Sequence, residues 1–447
     1  MTKIKFGTDG WRAIIAQEFT TDNVARVTSA AAQWVEKNYE EKKVVVGHDC
    51  RFAGPLFADT VAKVFLNAGY TVLMAKEYVS TPMVSYSTHK HGASLGVIIT
   101  ASHNPPGYNG YKLKGHYGGP LTPDKVQEIE DRIPAENGVD LRSIDLKAYE
   151  DQGKLQFIDM EQEYLDHVEK TFDLDAIRNS GLTFAYDAMY GAGQNVIRRL
   201  FPDAHLMHCE HNPLFGGTAP EPIARNLTEF AKYINEHGGI DCGLATDGDA
   251  DRIGLMNSRG EFVDSHHIIL LLLHYLSQHK GMTGKVLDAF SCTPRIGTMA
   301  RDYGFDHQTV KIGFKYICGI MVSGEDVLIG GEESGGIAVK GHIPERDGIW
   351  MGLIIWEFMA KTGKTLDELI QEVYDVVGPF AFERIDLHID EQLKQDIMKQ
   401  CADNEFTAFG DYAIERIETV DGYKFFFEND AWLMIRPSGT EPVLRTY

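Results

Sequence analysis

The residues best suited to chemistry lie in the stretch TASHNPP, at residues 100–106. It follows LGVII at residues 95–99, a short β-branched run bounded by turn residues, which predicts a buried strand. Two prolines prevent a helix from starting directly after the loop. Ligands of open α/β sheets gather beyond the carboxyl ends of strands, so Ser102 and His103 are candidate site residues. The alternative is an ordinary polar turn.

Three aspartates, Asp247, Asp249 and Asp251, alternate along a second loop that also follows an apolar run. Clustered carboxylates repel one another unless a cation neutralises them, and hard oxygen ligands select Mg²⁺, Ca²⁺ or Mn²⁺. A calcium loop of the EF-hand type is excluded, because Arg252 and Ser258 stand where its glycine and glutamate belong. A solvated acidic turn is the alternative interpretation.

Two further loops have residue types that suit a sugar phosphate. Glu332 and Ser334 lie between two glycine pairs after a predicted strand, where carboxylate and hydroxyl groups can bind sugar hydroxyls. Near the end of the chain, RPSGTE at residues 436–441, followed by Arg445, offers a guanidinium fork and a flexible glycine to an oxyanion. Exposed turns are the alternative for both loops.

Strands and helices alternate along the first three quarters of the chain in a repeated order. Each of three stretches contains two apolar strands that end in polar loops, which predicts three related α/β domains. Composition shifts predict domains at residues 1–145, 154–257 and 258–374. A smaller piece with strands and one helix is predicted at residues 378–447.

Composition excludes several classes of protein. The 447 residues have a formal charge of −22, from 43 basic and 65 acidic residues, which argues against binding to nucleic acid or to anionic membranes. Six cysteines without a C-x-x-C pair predict reduced thiols and a cytoplasmic location. The amino terminus shows no signal core, and the longest apolar runs are too short to span a bilayer. The 17 histidines show no metal-ligand spacing.

The loops taken together resemble the α-D-phosphohexomutases, the superfamily of phosphoglucomutase and phosphomannomutase. The resemblance covers essentially the whole chain in order. It rests on GTDGWR at 7–12, TASHNP at 100–105, YNGYK at 108–112, DGDADR at 247–252, GEESG at 331–335 and RPSGTEP at 436–442. The family usually continues for a strand and a helix after the last motif, whereas this chain ends at Tyr447, so we expect a shortened last domain.

The resemblance implies an α/β fold of three mixed-sheet domains around a central cleft, plus a smaller C-terminal α+β domain. It implies a phosphoserine at Ser102, which exchanges its phosphoryl group with a hexose phosphate, Mg²⁺ as cofactor and a hexose 1,6-bisphosphate as activator. The implied catalytic residues are Ser102, His103, Arg12 and Lys112, and the implied metal ligands are Ser102, Asp247, Asp249 and Asp251. The implied substrate-binding residues are Arg252, Lys315, Glu332, Ser334, Arg436, Ser438, Gly439, Thr440 and Arg445.

The loop that contains Glu332 and Ser334, called the sugar loop below, favours glucose phosphate as the substrate, with mannose phosphate as a second substrate. Family members that act on glucose phosphates often have Glu-Glu-Ser in this loop, as here, whereas those acting on glucosamine phosphate typically have Glu-Gln-Ser. Three alternatives stay open: a phosphoglucosamine mutase, a phosphatase, and a non-catalytic protein that binds sugar phosphates or divalent cations. The sequence does not indicate an oligomeric state.

Overall fold

The computed structural model describes residues 3–428, 431–437 and 443–447. The first sheet is built from seven strands: β1 Trp11–Ile14, β2 Lys43–His48, β3 Thr71–Ala75, β4 Leu95–Ile99, β5 Tyr108–Gly115, β6 Gly119–Pro120 and β7 Leu155–Ile158. Its helices are α1 Thr21–Asn38, α2 Gly54–Asn67, α3 Thr81–Lys90, α4 Pro123–Glu130 and α5 Leu146–Asp151. The strand order is β1-β5-β4-β2-β3-β7, with β6 paired to β5. Strand β7 lies beyond residue 145, yet it pairs in parallel with β3 and so extends this sheet.

The second sheet has five strands in the order β12-β11-β10-β8-β9. They are β8 Phe184–Asp187, β9 His205–Met207, β10 Cys242–Thr246, β11 Ile253–Asn257 and β12 Phe262–Val263. The helices before and within this unit are α6 Met160–Thr171, α7 Leu174–Arg178, α8 Gln194–Leu200 and α9 Thr228–His237. Two 3₁₀ turns lie at Phe215–Gly217 and Ala224–Asn226.

The third sheet has four strands in the order β14-β13-β15-β16. They are β13 Lys285–Ala289, β14 His307–Val310, β15 Val327–Gly331 and β16 Ile337–Val339. Its helices are α10 Ser265–His274, α11 Arg295–Asp302, α12 Phe314–Met321, α13 Gly348–Thr362 and α14 Leu366–Val377. Helix α10 continues into a π-helical turn at Tyr275–His279.

The fourth unit has a five-stranded sheet in the order β17-β23-β22-β21-β20, with a separate β18-β19 pair. Its strands are β17 Ile385–His388, β18 Ala408–Phe409, β19 Tyr412–Ala413, β20 Arg416–Glu418, β21 Tyr423–Phe426, β22 Trp432–Pro437 and β23 Val443–Thr446. Helix α15 spans Glu391–Ala402. All pairings within the five-stranded sheet are antiparallel.

The first three sheets share a topology that explains the repeated order in the sequence. In each, two neighbouring parallel strands (β2 and β4, β8 and β10, β13 and β15) end side by side. An antiparallel strand follows the second of each pair, namely β5, β11 and β16. The polar loops after these strands therefore lie at matching edges. This confirms the predicted fold of three mixed-sheet α/β units and a smaller C-terminal unit.

Hydrophobic packing joins the first three units, and a smaller cluster of Phe290, Met434 and Tyr447 connects the third unit to the fourth. One cluster of buried side chains runs continuously from Val45 in the first unit to Val377 in the third. The fourth unit has its own small cluster, which includes Cys401 and Phe425. The six cysteines are all buried free thiols, as the sequence predicts. No helix in the described ranges combines the length and apolar character needed to cross a membrane.

Candidate functional site

The serine loop begins where β4 ends and has an uncommon backbone conformation. Ser102 has φ of 53°, in the left-handed region that side chains other than glycine seldom adopt. Its amide donates a hydrogen bond to Thr100 Oγ1 at 2.9 Å, and that hydroxyl donates to Asp49 Oδ2 at 2.5 Å. Asp49 follows the neighbouring strand β2, so two strand ends together fix the position of the serine.

Arg51 holds the rest of the serine loop. Its side chain is fully buried, and its two terminal nitrogens donate hydrogen bonds to four backbone carbonyls. These carbonyls belong to Ser102 (2.7 Å), Asn104 (2.6 Å), Pro105 (2.9 Å) and Tyr108 (3.1 Å). Burial raises the pKa of the adjacent Asp49 to about 6, although Arg51 acts to lower it. The loop is therefore preorganised by a buried guanidinium.

The aspartate loop joins β10 to β11 and meets the serine loop across the boundary of two units. Ser102 Oγ donates a hydrogen bond to Asp247 Oδ2 at 2.7 Å. Gly248 is required at this approach, because a Cβ atom there would lie 2.5 Å from the Ser102 carbonyl oxygen. All three predicted aspartates are fully buried. Ser102 and the three aspartates, which are far apart in the sequence, therefore lie next to one another.

The three carboxylates fit a hard divalent cation. One oxygen from each of Asp247, Asp249 and Asp251 lies within 4.8 Å of the others. Asp249 Oδ1 and Asp251 Oδ1 are buried without a hydrogen-bond partner. Burial, and then the charges of the other two aspartates, raise the pKa of Asp247 well above its usual range. A bound cation would satisfy the free oxygens and relieve this repulsion.

Two cationic side chains form ion pairs with Oδ2 atoms of the aspartate loop. Lys112 Nζ lies 2.6 Å from Asp249 Oδ2, 2.9 Å from Asp251 Oδ2 and 2.8 Å from Asp9 Oδ2. Arg346 from the third unit binds Asp9 at 2.6 Å and Asp251 at 2.8 Å. Burial alone would lower the pKa of Lys112, but the three carboxylates raise it above its usual value. Lys112 therefore stays protonated.

Cationic side chains also lie near the serine loop and act on His103. His103 Nδ1 lies 3.3 Å from Ser102 Oγ. Burial, and then the charges of Arg252 and Arg12, lower the pKa of His103 well below its usual range, so its ring is neutral. Arg12 donates to Asn104 Oδ1 at 2.6 Å, and Arg252 Nε is buried without a partner. Convergent positive charge next to a hydroxyl suits a phosphoryl group.

The sugar loop follows β15 and reaches the aspartate loop. Gly335 accepts a hydrogen bond from the Ile253 amide at 3.1 Å, and its φ of +88° favours glycine. Glu332 is buried and accepts from the Gly313 amide at 2.9 Å, whereas Ser334 is partly exposed. Burial raises the pKa of Glu332 to about 7, although Arg346 acts to lower it.

Two further charged residues lie near Glu332. Glu333 accepts a hydrogen bond from the Ser291 hydroxyl, which holds its carboxylate. Lys315 lies in the first turn of α12, two residues after Gly313, and is partly buried. Burial lowers its pKa, while the charge of Asp9 acts in the opposite sense. Lys315 is thus within electrostatic reach of the site.

The fourth unit presents its predicted arginines on neighbouring strands. Arg436 on β22 and Arg445 on β23 are directly paired in register. Arg445 Nε lies 3.7 Å from Asp386, and Arg436 Nε lies 3.3 Å from Asp421 Oδ1. Asp421 Oδ2 also accepts from the Ile312 amide at 3.0 Å, next to the Gly313 amide that binds Glu332. The predicted residues Ser438, Gly439 and Thr440 lie outside the described residues.

Four residues that lie at the site were not among the residues predicted from the sequence. Asp9 lies inside the GTDGWR motif, and Asp49 closely follows the apolar run VVV at residues 44–46. Both positions could therefore have been recognised as candidate site residues. Arg51 follows Asp49 by two positions without any distinguishing pattern. Arg346 lies in PERDG, which resembles an ordinary turn before a helix.

Comparison with known proteins gives matches along almost the whole chain. Models of the phosphoglucomutase/phosphomannomutase family match residues 3–139 (alpha/beta/alpha domain I), 162–260 (domain II), 264–377 (domain III) and 391–447 (C-terminal domain). A phosphoglucosamine mutase from Methanococcus vannielii is 30% identical over 92% of this chain and 88% of its own. A phosphoglucomutase/phosphomannomutase from Thermococcus kodakarensis is 28% identical over 99% of this chain and 93% of its own.

Solved structures agree with these matches. A Thermus thermophilus protein assigned as a phosphomannomutase has a TM-score of 0.86 and is 31% identical, covering 100% of this chain and 95% of its own. A more distant fold relative, 14% identical with a TM-score of 0.59, is the N-acetylphosphoglucosamine mutase of Aspergillus fumigatus in complex with GlcNAc-6P and magnesium. It covers 100% of this chain and 92% of its own. The chain therefore belongs to the α-D-phosphohexomutase superfamily and is a mutase, an isomerase of the intramolecular phosphotransferase type.

Proposed function

We propose that this mutase interconverts the 1-phosphate and the 6-phosphate of a hexose, with glucose favoured and mannose as a second substrate. The observation that carries the proposal is the contact of Ser102 Oγ with Asp247 Oδ2 at 2.7 Å, where the serine and aspartate loops meet. Phosphorylated Ser102 gives its phosphoryl group to the free hydroxyl of the bound monophosphate. The resulting bisphosphate reverses end for end and returns its other phosphoryl group to Ser102.

Asp247, Asp249 and Asp251, together with the Ser102 oxygen, would hold Mg²⁺. When bound, Mg²⁺ supplies positive charge that offsets the charge of the phosphoryl group during transfer. The free Oδ1 atoms of Asp249 and Asp251 support this assignment. A hexose 1,6-bisphosphate serves as activator, because it can phosphorylate an empty Ser102.

Protein cations share the work of stabilising charge. Lys112 keeps its proton and holds two of the aspartates in place, so we assign it to electrostatic stabilisation and positioning. We assign Arg12 and Arg252 to the binding of phosphoryl oxygens, because both act electrostatically on His103 beside Ser102 and Arg252 Nε is buried without a partner. Neutral His103 lies beside the serine hydroxyl. These groups bind the phosphoryl group through positive charge and N–H donors.

The rest of the substrate is bound by the third and fourth units. Glu332 and Ser334 would hold sugar hydroxyls, with Lys315 close by. Arg436 and Arg445, together with residues 438–440, would hold the phosphate that does not react. This phosphate is on carbon 1 in one orientation and on carbon 6 in the other, so its site must accept both. A guanidinium fork meets that need, because it recognises the phosphate rather than the sugar.

Glucosamine phosphate is the second candidate substrate. The Methanococcus vannielii phosphoglucosamine mutase, at 30% identity, supports it. The Glu-Glu-Ser sequence of the sugar loop supports glucose instead, since glucosamine phosphate mutases typically have glutamine at the second position. The Glu333 carboxylate is bound by Ser291, so its influence on sugar choice would act through the shape of the loop.

The test compares wild type with Ser102→Ala, using Ser143→Ala, an exposed serine of the first unit, as the matched control. Each protein is assayed with the 1-phosphates of glucose, mannose and glucosamine, in Mg²⁺ and the matching 1,6-bisphosphate. We expect Ser102→Ala alone to lose turnover and the added phosphoryl mass seen by intact-mass spectrometry. Near-normal turnover in Ser102→Ala would disprove the phosphoserine.

The same assay decides between substrates and between reaction types. A higher kcat/KM for glucosamine 1-phosphate than for glucose 1-phosphate would select the second candidate. Release of inorganic phosphate at the rate of substrate loss would indicate a phosphatase and contradict the proposal. We expect isomer formation to exceed phosphate release by far.

A further inference from the structure

A second cluster of side chains that could hold a metal ion lies in the third unit, on elements other than the serine, aspartate and sugar loops. It consists of His274 at the end of α10, His279 at the end of the π-helical turn, and Glu372 on α14. One ligand atom from each lies within 4.8 Å of the other two. We call these three residues the His–Glu cluster. Its two imidazoles distinguish it from the all-carboxylate aspartate loop.

The π-helical turn brings the two histidines together. In this turn, Lys280 N–H donates to the Tyr275 carbonyl at 3.0 Å, five residues back instead of four. Residues five apart point to different sides of an α-helix, but the wider turn moves them toward one side. The ring centroids of His274 and His279 are consequently 5.5 Å apart. Single π-helical turns within helices are frequent at functional sites.

Contacts at both ring nitrogens fix the orientation of the His274 imidazole. Nδ1 contacts the Tyr303 hydroxyl at 2.6 Å, and Nε2 faces Glu372 Oε2 at 3.1 Å. Histidine ligands of metals usually donate their other ring N–H to an oxygen acceptor, which sets the tautomer. Tyr303 can accept that bond. Lys364 binds the other oxygen, Glu372 Oε1, and leaves Oε2 for the cluster.

We propose that the His–Glu cluster binds one borderline transition-metal ion of the Zn²⁺ class through His274, His279 and Glu372. Two imidazole nitrogens and one carboxylate oxygen are ligands that Zn²⁺ accepts, with water in the fourth position. His279 is exposed and His274 is partly exposed, so the ion can enter from solvent. The ion links α10 to α14 and stabilises the third unit. This site is independent of the mutase chemistry.

Cobalt(II) is the probe that separates the two sites. The full chain is titrated with Co²⁺ in excess Mg²⁺, which occupies the all-oxygen aspartate loop. Four-coordinate Co²⁺ with nitrogen ligands absorbs visible light much more strongly than six-coordinate Co²⁺ with oxygen ligands. We expect a saturable band near one equivalent in wild type and in Asp249→Asn, and displacement of Co²⁺ by Zn²⁺.

Variants of the cluster test the assignment. His279→Gln should weaken Co²⁺ binding at least tenfold, whereas His388→Gln, which removes an exposed histidine of β17, should leave it unchanged. Tyr303→Phe should weaken Co²⁺ binding about tenfold, because the Tyr303 hydroxyl orients His274. It should not lower the melting temperature of the metal-free protein. Zn²⁺ should raise the melting temperature of wild type but not of His279→Gln. No saturable band in wild type, or an unchanged band in His279→Gln, would overturn the proposal.

Discussion

Replacement of Arg51 by lysine tests whether the serine loop depends on a buried guanidinium. Arg51 supplies four hydrogen bonds to loop carbonyls from two terminal nitrogens. A lysine ammonium has only three N–H groups, all on one atom, so at least one carbonyl loses its donor. The bond to the Ser102 carbonyl is the fully buried one of the four, and a buried acceptor left without its donor costs about 1–3 kcal/mol.

This cost should appear mainly in kcat. The loop positions Ser102, whereas the proposed sites for the sugar and the distal phosphate lie in other units, so a looser loop should weaken the transition state more than substrate binding. At about 1.36 kcal/mol for each tenfold change, 1–3 kcal/mol corresponds to a fall in kcat of roughly 5- to 150-fold. The melting temperature should also fall, since the same bonds stabilise the folded state.

The assay measures kcat and KM in both directions for Arg51→Lys. Arg142→Lys, the same substitution at an exposed position of the first unit, is the control and should match wild type. The role of Arg51 in positioning Ser102 is refuted if Arg51→Lys keeps kcat within about twofold of wild type, or if the substitution changes only KM. The second result would mean that Arg51 organises substrate binding instead of the nucleophile.

Three further predictions concern the other loops. Asp249→Asn should lower kcat far more than it raises KM, and it should raise the Mg²⁺ concentration needed for half of the maximal activity. Full activity of the wild-type protein in excess chelator would contradict a catalytic metal. Arg436→Ala should weaken the binding of glucose 1-phosphate and of glucose 6-phosphate by similar factors, about ten- to a hundredfold, because a charge-assisted pair is lost. A loss of affinity for only one isomer would refute the proposal that Arg436 holds the distal phosphate in both orientations. Burial raises the pKa of Glu332 to about 7, so this carboxyl is protonated below that pH and ionised above it. KM should therefore fall between about pH 6 and pH 8 as the carboxylate forms and accepts sugar hydroxyls, and a Glu332→Gln variant with the same pH profile would exclude this cause.

Local sequence signals predicted the loops, because each depends on neighbouring residues. The apolar run before Ser102 forms a strand at the predicted residues. The three aspartates, whose spacing predicted a cation site, lie close together and are buried. Contacts between distant segments carried no such signal. Arg346 binds Asp9 across 337 positions, a pairing that only the packing of the first unit against the third creates. The His–Glu cluster depends on a π-helical turn, and no spacing of residues in the sequence indicates one.

The division of the hydrophobic core also sets the order in which the protein unfolds. Because one continuous cluster spans the first three units, these should open together as a single cooperative unit with high amide protection. The fourth unit has a small core of its own. It meets the third unit through the apolar cluster of Phe290, Met434 and Tyr447 and through Lys424, whose ammonium binds the carbonyls of Phe290 and Cys292. Its amides should exchange with solvent through openings that leave the serine and aspartate loops folded. A mutation that destabilises the fourth unit would then remove the proposed site for the distal phosphate while Ser102 stays in place.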